Sequence, residues 1–268
     1  MSSIFRYGAH VRANGIRQHY LRFGGDGVPL VVVPGIVSPA ATWAFVGERL
    51  GAHRDTYVLD VRGRGLSSAG SDLDYGLDAC ARDVAEFARA LNLRRYDVLG
   101  HSMGGRIGAR LAHQYPQGIE RVVLADPPVG GPGRRPYVRT LEFFLDAIVE
   151  AHAGTLDVEA SRITYPRWTD EQIRARAEWL HTCDVAAITA SHRGFHDDDI
   201  HRDLGALAMP TLLLAAGEGG VITDDELAEI ARLNPAIARE RLAGAGHMLP
   251  FDDLEGFLEI VERFLRRT

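Results

Sequence analysis

At 268 residues the chain can bury roughly 70–75% of its unfolded surface in one core, and its 46% hydrophobic and 25% charged residues are those of an ordinary globule. A net charge of −6 gives no reason to expect nucleic acid or an acidic membrane as partner. All 30 basic residues counted as Lys or Arg are arginine, which excludes Schiff-base and other lysine-dependent chemistry.

Cys80 and Cys183 form no metal or redox spacing. The N-terminus shows no secretory apolar segment, and no run approaches the roughly 18 apolar residues of a membrane span. The expectation is a cytoplasmic chain with reduced thiols, acting on a small molecule, with its oligomeric state open.

Asn14-Gly15, between the mixed runs 10–13 and 16–23, signals a two-residue hairpin turn. Pro29-Leu30-Val31-Val32-Val33 is a continuous apolar run, as expected of a strand buried on both faces, and it ends in Pro34-Gly35-Ile36. Residues 42–50 have helical spacing. Tyr57-Val58-Leu59 is a second buried strand, leading into Asp60-Val61-Arg62-Gly63-Arg64-Gly65-Leu66-Ser67, whose charges and glycines suit a sharp turn after a strand. Between Asp78 and Leu91, the residues Val84, Phe87, Ala88 and Leu91 share one helical face.

The next apolar pair, Val98-Leu99, ends at Gly100. Ser102 follows, and a helix-capable segment from Met103 to Tyr115 is stopped by Pro116. Strand, sharp turn and helix with Gly100-x-Ser102-x-Gly104 at the apex make a nucleophile elbow, in which strand and helix approach too closely for a Cβ at either glycine. Arg121–Ala125 is a further strand, closed by Asp126-Pro127-Pro128.

Strands alternating with helices imply an α/β, mostly parallel sheet with helices on both faces. The rhythm breaks after Pro128. Across 129–203 there are helices and no convincing strand: Val138, Leu141, Leu145, Ile148 and Val149 read as one apolar face, and Thr169-x-x-Gln172 as a capping box. Alternation returns with a strand at 211–214, a helix at 224–233, a strand at 237–242 and a helix at 253–265. The expected organisation is a core of residues 1–128 and 204–268 with a helical cap inserted at 129–203, over the carboxyl ends of the strands. His196-Asp197-Asp198-Asp199-Ile200-His201 has the composition of a metal site but reads as a solvated loop, and no metal or cofactor is expected.

An elbow serine needs a base, and the base needs an acid to orient it. Gly244-Ala245-Gly246-His247, after the last strand, supplies the one histidine on a suitable loop; His101 is read as pointing away from Ser102. For the acid there are two slots at strand ends. One reads Gly217-Glu218-Gly219-Gly220, with Asp224 and Asp225 in the first turn of a helix opened by the capping box Thr223-x-x-Glu226. The other holds Asp126 directly after its strand. Asp126 is assigned as orienter, with Glu218 and the 224–225 pair as competitors. The backbone amides of Met103 and Ile36 are the expected oxyanion donors.

The elbow, the Asp60–Ser67 turn and the Gly246-His247 ending resemble the α/β-hydrolase family over nearly the whole chain. That family usually carries its acid where Gly220 stands here. Within it, Asp126-Pro127-Pro128-Val129-Gly130-Gly131-Pro132-Gly133-Arg134-Arg135, Pro34-Gly35-Ile36 and Asn14-Gly15-Ile16-Arg17 are similar to the N-formylmaleamate deformylases of nicotinate degradation. The resemblance implies a Ser102–His247–Asp126 triad that transfers a formyl group from an amide nitrogen to serine and then to water. Such a substrate carries a carboxylate, for which Arg134 and Arg135 are the candidate partners, with Trp168 among the aromatic residues available to wall the pocket. The alternatives are a carboxylesterase or lactonase, a cofactorless haloperoxidase-like enzyme, and a non-catalytic ligand receptor.

Overall fold

A computed structural model describes residues 4–266. The hairpin strands are β1 (Phe5–Ala13) and β2 (Ile16–Gly24), with Ala13 opposite Ile16. Asn14 (φ 48°) and Gly15 (φ 75°) make the turn at positive φ, as the Asn-Gly pair requires. Then come β3 (Leu30–Val33), a 3₁₀ turn over Ala40–Trp43 running into α1 (Ala44–Gly51), β4 (Asp55–Leu59) and α2 (Leu77–Ala90). The elbow joins β5 (Tyr96–His101) to α3 (Met103–Gln114), and β6 (Ile119–Ala125) follows.

Five helices separate β6 from the next strand: α4 (Leu141–Ala153), α5 (Val158–Thr164), α6 (Asp170–Trp179), α7 (Val185–Asp197) and α8 (His201–Ala206). The chain then returns through β7 (Thr211–Ala216), α9 (Asp224–Leu233), β8 (Ala238–Leu242), α10 (Leu249–Asp252) and α11 (Leu254–Arg266). The eight strands form one sheet in the order β1-β2-β4-β3-β5-β6-β7-β8. All pairings from β4 to β8 are parallel, and the hairpin adds antiparallel at the β4 edge.

Alternation along the buried strands feeds two cores. Val31 and Val33 join Phe87 and Ile107 on one face, whereas Leu30 and Val32 join Trp43 and Phe257 on the other. Full burial of each such side chain contributes about 1.5–3 kcal/mol, which is why these strands read as unbroken apolar runs.

The first helix after β6 meets the expected face in part: Ile148 is buried and Leu141 and Leu145 pack against the core. Phe144 and Ile148 are its buried residues, whereas Val138 is 52% and Val149 60% exposed. The buried side is the one that meets α7 and the Leu180 turn, so the face lies one position away from the stripe that Val138 and Val149 suggest. The far end of the insertion is tied to the core by arginines. Buried Arg64 donates to the Ala187 carbonyl (3.2 Å) and the Ser191 hydroxyl (2.7 Å), Arg106 to the Gly194 carbonyl (3.0 Å), and Arg110 to Asp203 (2.9 Å). Among the described residues, no helix is long and apolar enough to cross a membrane.

Candidate active site

Parallel strands end together, so the loops after β3, β5, β6, β7 and β8 meet at one edge. Ser102 follows β5 at φ 54° and ψ −118°, a conformation costing a non-glycine residue about 1–3 kcal/mol. The surrounding packing enforces it. A Cβ on Gly104 would run into the Val33 carbonyl, and one on Gly100 into the Gly104 carbonyl. The serine hydroxyl is thereby turned toward the loop after β8. There it donates to His247 Nε2 at 3.0 Å, while His247 Nδ1–H donates to Asp126 Oδ2 at 2.7 Å. An acceptor-only carboxylate at Nδ1 selects the tautomer whose Nε2 lone pair faces the serine.

Asp126 is fully buried and also sits at positive φ (45°). Burial pushes its carboxyl pKa up, but the bond and charge of His247 together with the amides of Val221 (3.0 Å) and Ala216 (3.2 Å) outweigh that and hold it below the usual carboxylate range. Gly220 shows why the acid is absent from the later slot. A Cβ there would lie 3.1–3.2 Å from the two Asp126 carboxylate oxygens and 2.7 Å from the Ala216 methyl. The carboxylate reaching over from β6 fills the space that a side chain at 220 would need. Of the competing acids, Glu218 pairs with Arg167 and Asp224 with Arg241, and Asp225 is exposed in the first turn of α9.

Of the expected oxyanion donors, Met103 opens α3, so its amide has no acceptor within the helix. Ile36 lines the cavity beside Ser102, and its carbonyl accepts from Arg64 Nε at 3.0 Å.

His101 does not point away. Its Nε2–H donates to the His247 carbonyl at 2.8 Å, and the two rings lie 5.1 Å apart. Burial, reinforced by the charge of His247, lowers its pKa to about 3, so it is neutral. The last residue of a strand alternates away from its neighbours, but β5 ends where the His247 loop folds over it.

A cavity of about 410 Å³ opens onto the Ser102–His247 pair, a size suited to a small ligand. Trp168 forms part of its wall, stacked between Tyr165 and Phe251 at 4.3 Å on each side. Tyr137 lines it too, with its hydroxyl beside Ser102 and its pKa raised to about 12 by burial. Arg134 and Arg135 do not reach it. Arg134 is forked onto Glu229 (2.9 and 3.0 Å) and Arg135 bonds Glu226 (2.9 Å) and the Val221 carbonyl (2.7 Å). Arg139 and Arg176 line the cavity instead. Sequence reading missed them, along with Tyr137, because the glutamates that hold Arg134 and Arg135 away from the cavity come from α9, about ninety residues later.

The Asp60 turn is knitted to its surroundings, the carboxylate accepting from Ala40 N (2.6 Å), Leu66 N (2.9 Å) and His19 Nδ1 (2.7 Å). In the acidic stretch at 196–201, His201 Nδ1 bonds Asp199 at 2.6 Å. Among the described residues no three His, Cys, Asp or Glu side chains converge as metal ligands.

Comparison with known proteins adds four findings. The profile of the alpha/beta hydrolase fold family matches residues 28–199. N-formylmaleamate deformylase of Pseudomonas putida is 54% identical over 98% of this chain and 98% of its own. A crystal structure of an N-formylmaleamic acid deformylase from Pseudomonas putida superposes with a TM-score of 0.90 at 49% identity, covering 96% of this chain and 100% of that one. More distantly, 2-(acetamidomethylene)succinate hydrolase of Mesorhizobium japonicum is 26% identical over 91% of this chain and 90% of its own.

Proposed function

The chain belongs to the alpha/beta hydrolase fold family and is a hydrolase homologous to a deformylase, and on that premise we propose that it cleaves N-formylmaleamate to maleamate and formate with Ser102, His247 and Asp126 as its triad. One observation carries the reading: a single imidazole bridges Ser102 Oγ at 3.0 Å and a buried carboxylate at 2.7 Å. That arrangement lets the serine lose its proton as it attacks, and holds the imidazolium that results.

Ser102 Oγ adds to the formyl carbon and its proton passes to His247 Nε2. The amides of Met103 and Ile36 receive the oxyanion. The C–N bond then breaks as His247 returns the proton to nitrogen, and maleamate leaves. Water adds to the formyl ester while giving a proton to His247. The Ser102–carbon bond breaks, the serine oxygen regains the proton, and formate departs. The leaving nitrogen lies between two acyl groups, so it departs more readily than an alkylamine would. Every proton transfer here runs through His247, and the scheme calls on no cofactor.

In this reading residues 129–203 are a cap closing the cavity over a small-molecule substrate, and the compartment is the cytoplasm; the free, buried Cys80 and Cys183 fit a reducing environment. Incubation with synthetic N-formylmaleamate tests the reading, with formate and maleamate expected in equal amounts. Turnover of p-nitrophenyl esters without release of formate would replace it with the esterase reading.

A further inference from the structure

The cavity holds a charge asymmetry that the triad does not use. Apart from the histidines, the charged side chains lining it are Arg139 and Arg176, and no Asp or Glu is among its lining residues. The chain as a whole carries a net −6, and nearby Arg134, Arg135 and Arg167 are each paired with a glutamate. Arg139 and Arg176 have an aromatic ring instead. The Arg139 guanidinium lies 4.7 Å from the Phe143 ring centre, and that of Arg176 lies 5.3 Å from the Tyr165 ring centre.

A ring satisfies one face of a guanidinium and leaves its N–H edge free. The mounting of Arg176 is also stiff, because Tyr165 stacks on Trp168 and Trp168 on Phe251, at 4.3 Å each. This column makes one wall of the cavity and carries a half-buried cation at its end. The planar, delocalised anion that meets a guanidinium edge with two parallel hydrogen bonds is a carboxylate.

We infer that Arg176, assisted by Arg139 at the exposed mouth, forms the subsite that takes the carboxylate of the ligand and so sets the enzyme's selectivity for anionic acyl amides. The inference deepens the hydrolase reading above and rests on it for the identity of the cavity. It moves the anion-binding role from Arg134 and Arg135, which are neutralised by α9, to two cations that pair with no acid among the described residues. The aromatic walls are indifferent to charge and the oxyanion donors are engaged by the reacting carbonyl, so discrimination between an acid and its ester at the far end of the ligand falls to these two side chains.

Binding measured without turnover tests this. The Ser102→Ala protein is titrated calorimetrically with maleamate and with the neutral methyl ester of maleamate. The parent is expected to prefer the anion by about 10- to 100-fold, the worth of one charge-assisted contact. Adding Arg176→Met, which keeps the apolar stem on Tyr165, is expected to erase that preference while ester affinity stays within about threefold; Arg176→Lys is expected to restore part of it. Arg139→Met is expected to weaken the anion alone, by less. An anion bound equally well by parent and Arg176→Met, equal losses on both ligands, or a parent with no preference for the anion would each overturn the subsite. Failure of the wild-type enzyme to release formate from N-formylmaleamate would overturn the deformylase reading alone, since these titrations do not depend on it.

Discussion

Asp126→Asn separates the orienting role of the carboxylate from its structural one. Three donors converge on Asp126: His247 Nδ1–H and the Val221 amide on one oxygen, the Ala216 amide on the other. Asparagine offers only one acceptor oxygen, so one side of the site must face an NH₂ group. If that group faces His247, the imidazole switches tautomer, its Nε2 carries the hydrogen, and no lone pair remains for the Ser102 proton. Loss of the base in this way costs about 10³–10⁴-fold in kcat. The backbone tolerates the change, because asparagine accepts the φ of 45° at this position. Asp126→Ala differs. It orphans two buried amides at about 1–3 kcal/mol each and places alanine at positive φ for about 1 kcal/mol more. A loss of about 3–7 kcal/mol is a large part of a domain's stability. Formate release and urea unfolding, measured on both variants and on Glu218→Ala, test the argument. Asp126→Asn, which leaves one buried N–H facing an NH₂ group, is expected to lose about 1–3 kcal/mol of stability, less than Asp126→Ala, with kcat reduced about 10³-fold or more, and Glu218→Ala to match wild type in both. The reasoning is refuted if Asp126→Asn keeps more than a tenth of wild-type kcat, or if Glu218→Ala is the inactive variant.

Ser102→Ala is expected to lose about 10³-fold or more in kcat while still binding maleamate, as read by calorimetry. Burial lowers the His101 pKa from 6.5 to about 3, so the unfolded chain takes up a proton below pH 6.5 that the folded one refuses. Stability from this group is complete above pH 6.5 and lost as pH falls toward 3. Urea unfolding of wild type is expected to lose about 2 kcal/mol more than His101→Gln between pH 7.5 and pH 5, and parallel losses would contradict this. Gly104→Ala, whose Cβ meets the Val33 carbonyl, is expected to leave no folded protein by circular dichroism. Arg64→Met strips hydrogen bonds from Ile36, Arg62, Ala187 and Ser191. It is expected to lower the melting temperature and to reduce kcat by more than it raises KM.

What the sequence discloses here depends on how local its cause is. The elbow is legible because Gly100 and Gly104 answer a clash within one strand–turn–helix unit, and β3 because burial on both faces leaves no polar alternation. Asp126 is legible through a pairing of absences and presences: Gly220 has no side chain where the Asp126 carboxylate lies. The arginines defeat such reading. Arg134 and Arg135 follow Asp126 in the chain, but their partners Glu229 and Glu226 come from a helix about ninety residues later. Arg176 reaches the cavity by resting on Tyr165. No spacing rule carries that information, and none shows that the ring of His101 meets the loop of His247. The first helix after β6 is legible only in part for a related reason: Ile148 is buried as its spacing suggests, but the choice between Val149 and Phe144 belongs to the packing against α7 and the Leu180 turn.

A quenched turnover with substrate labelled in its formyl carbon addresses the chemistry most directly. After rapid acid quench and digestion, the account predicts the label as a formyl ester on the peptide containing Ser102, absent in Ser102→Ala. Labelled formate produced at full rate with no enzyme-bound label, and a Ser102→Ala variant that still turns over, would mean that water attacks the formyl group directly and that the serine is not the nucleophile.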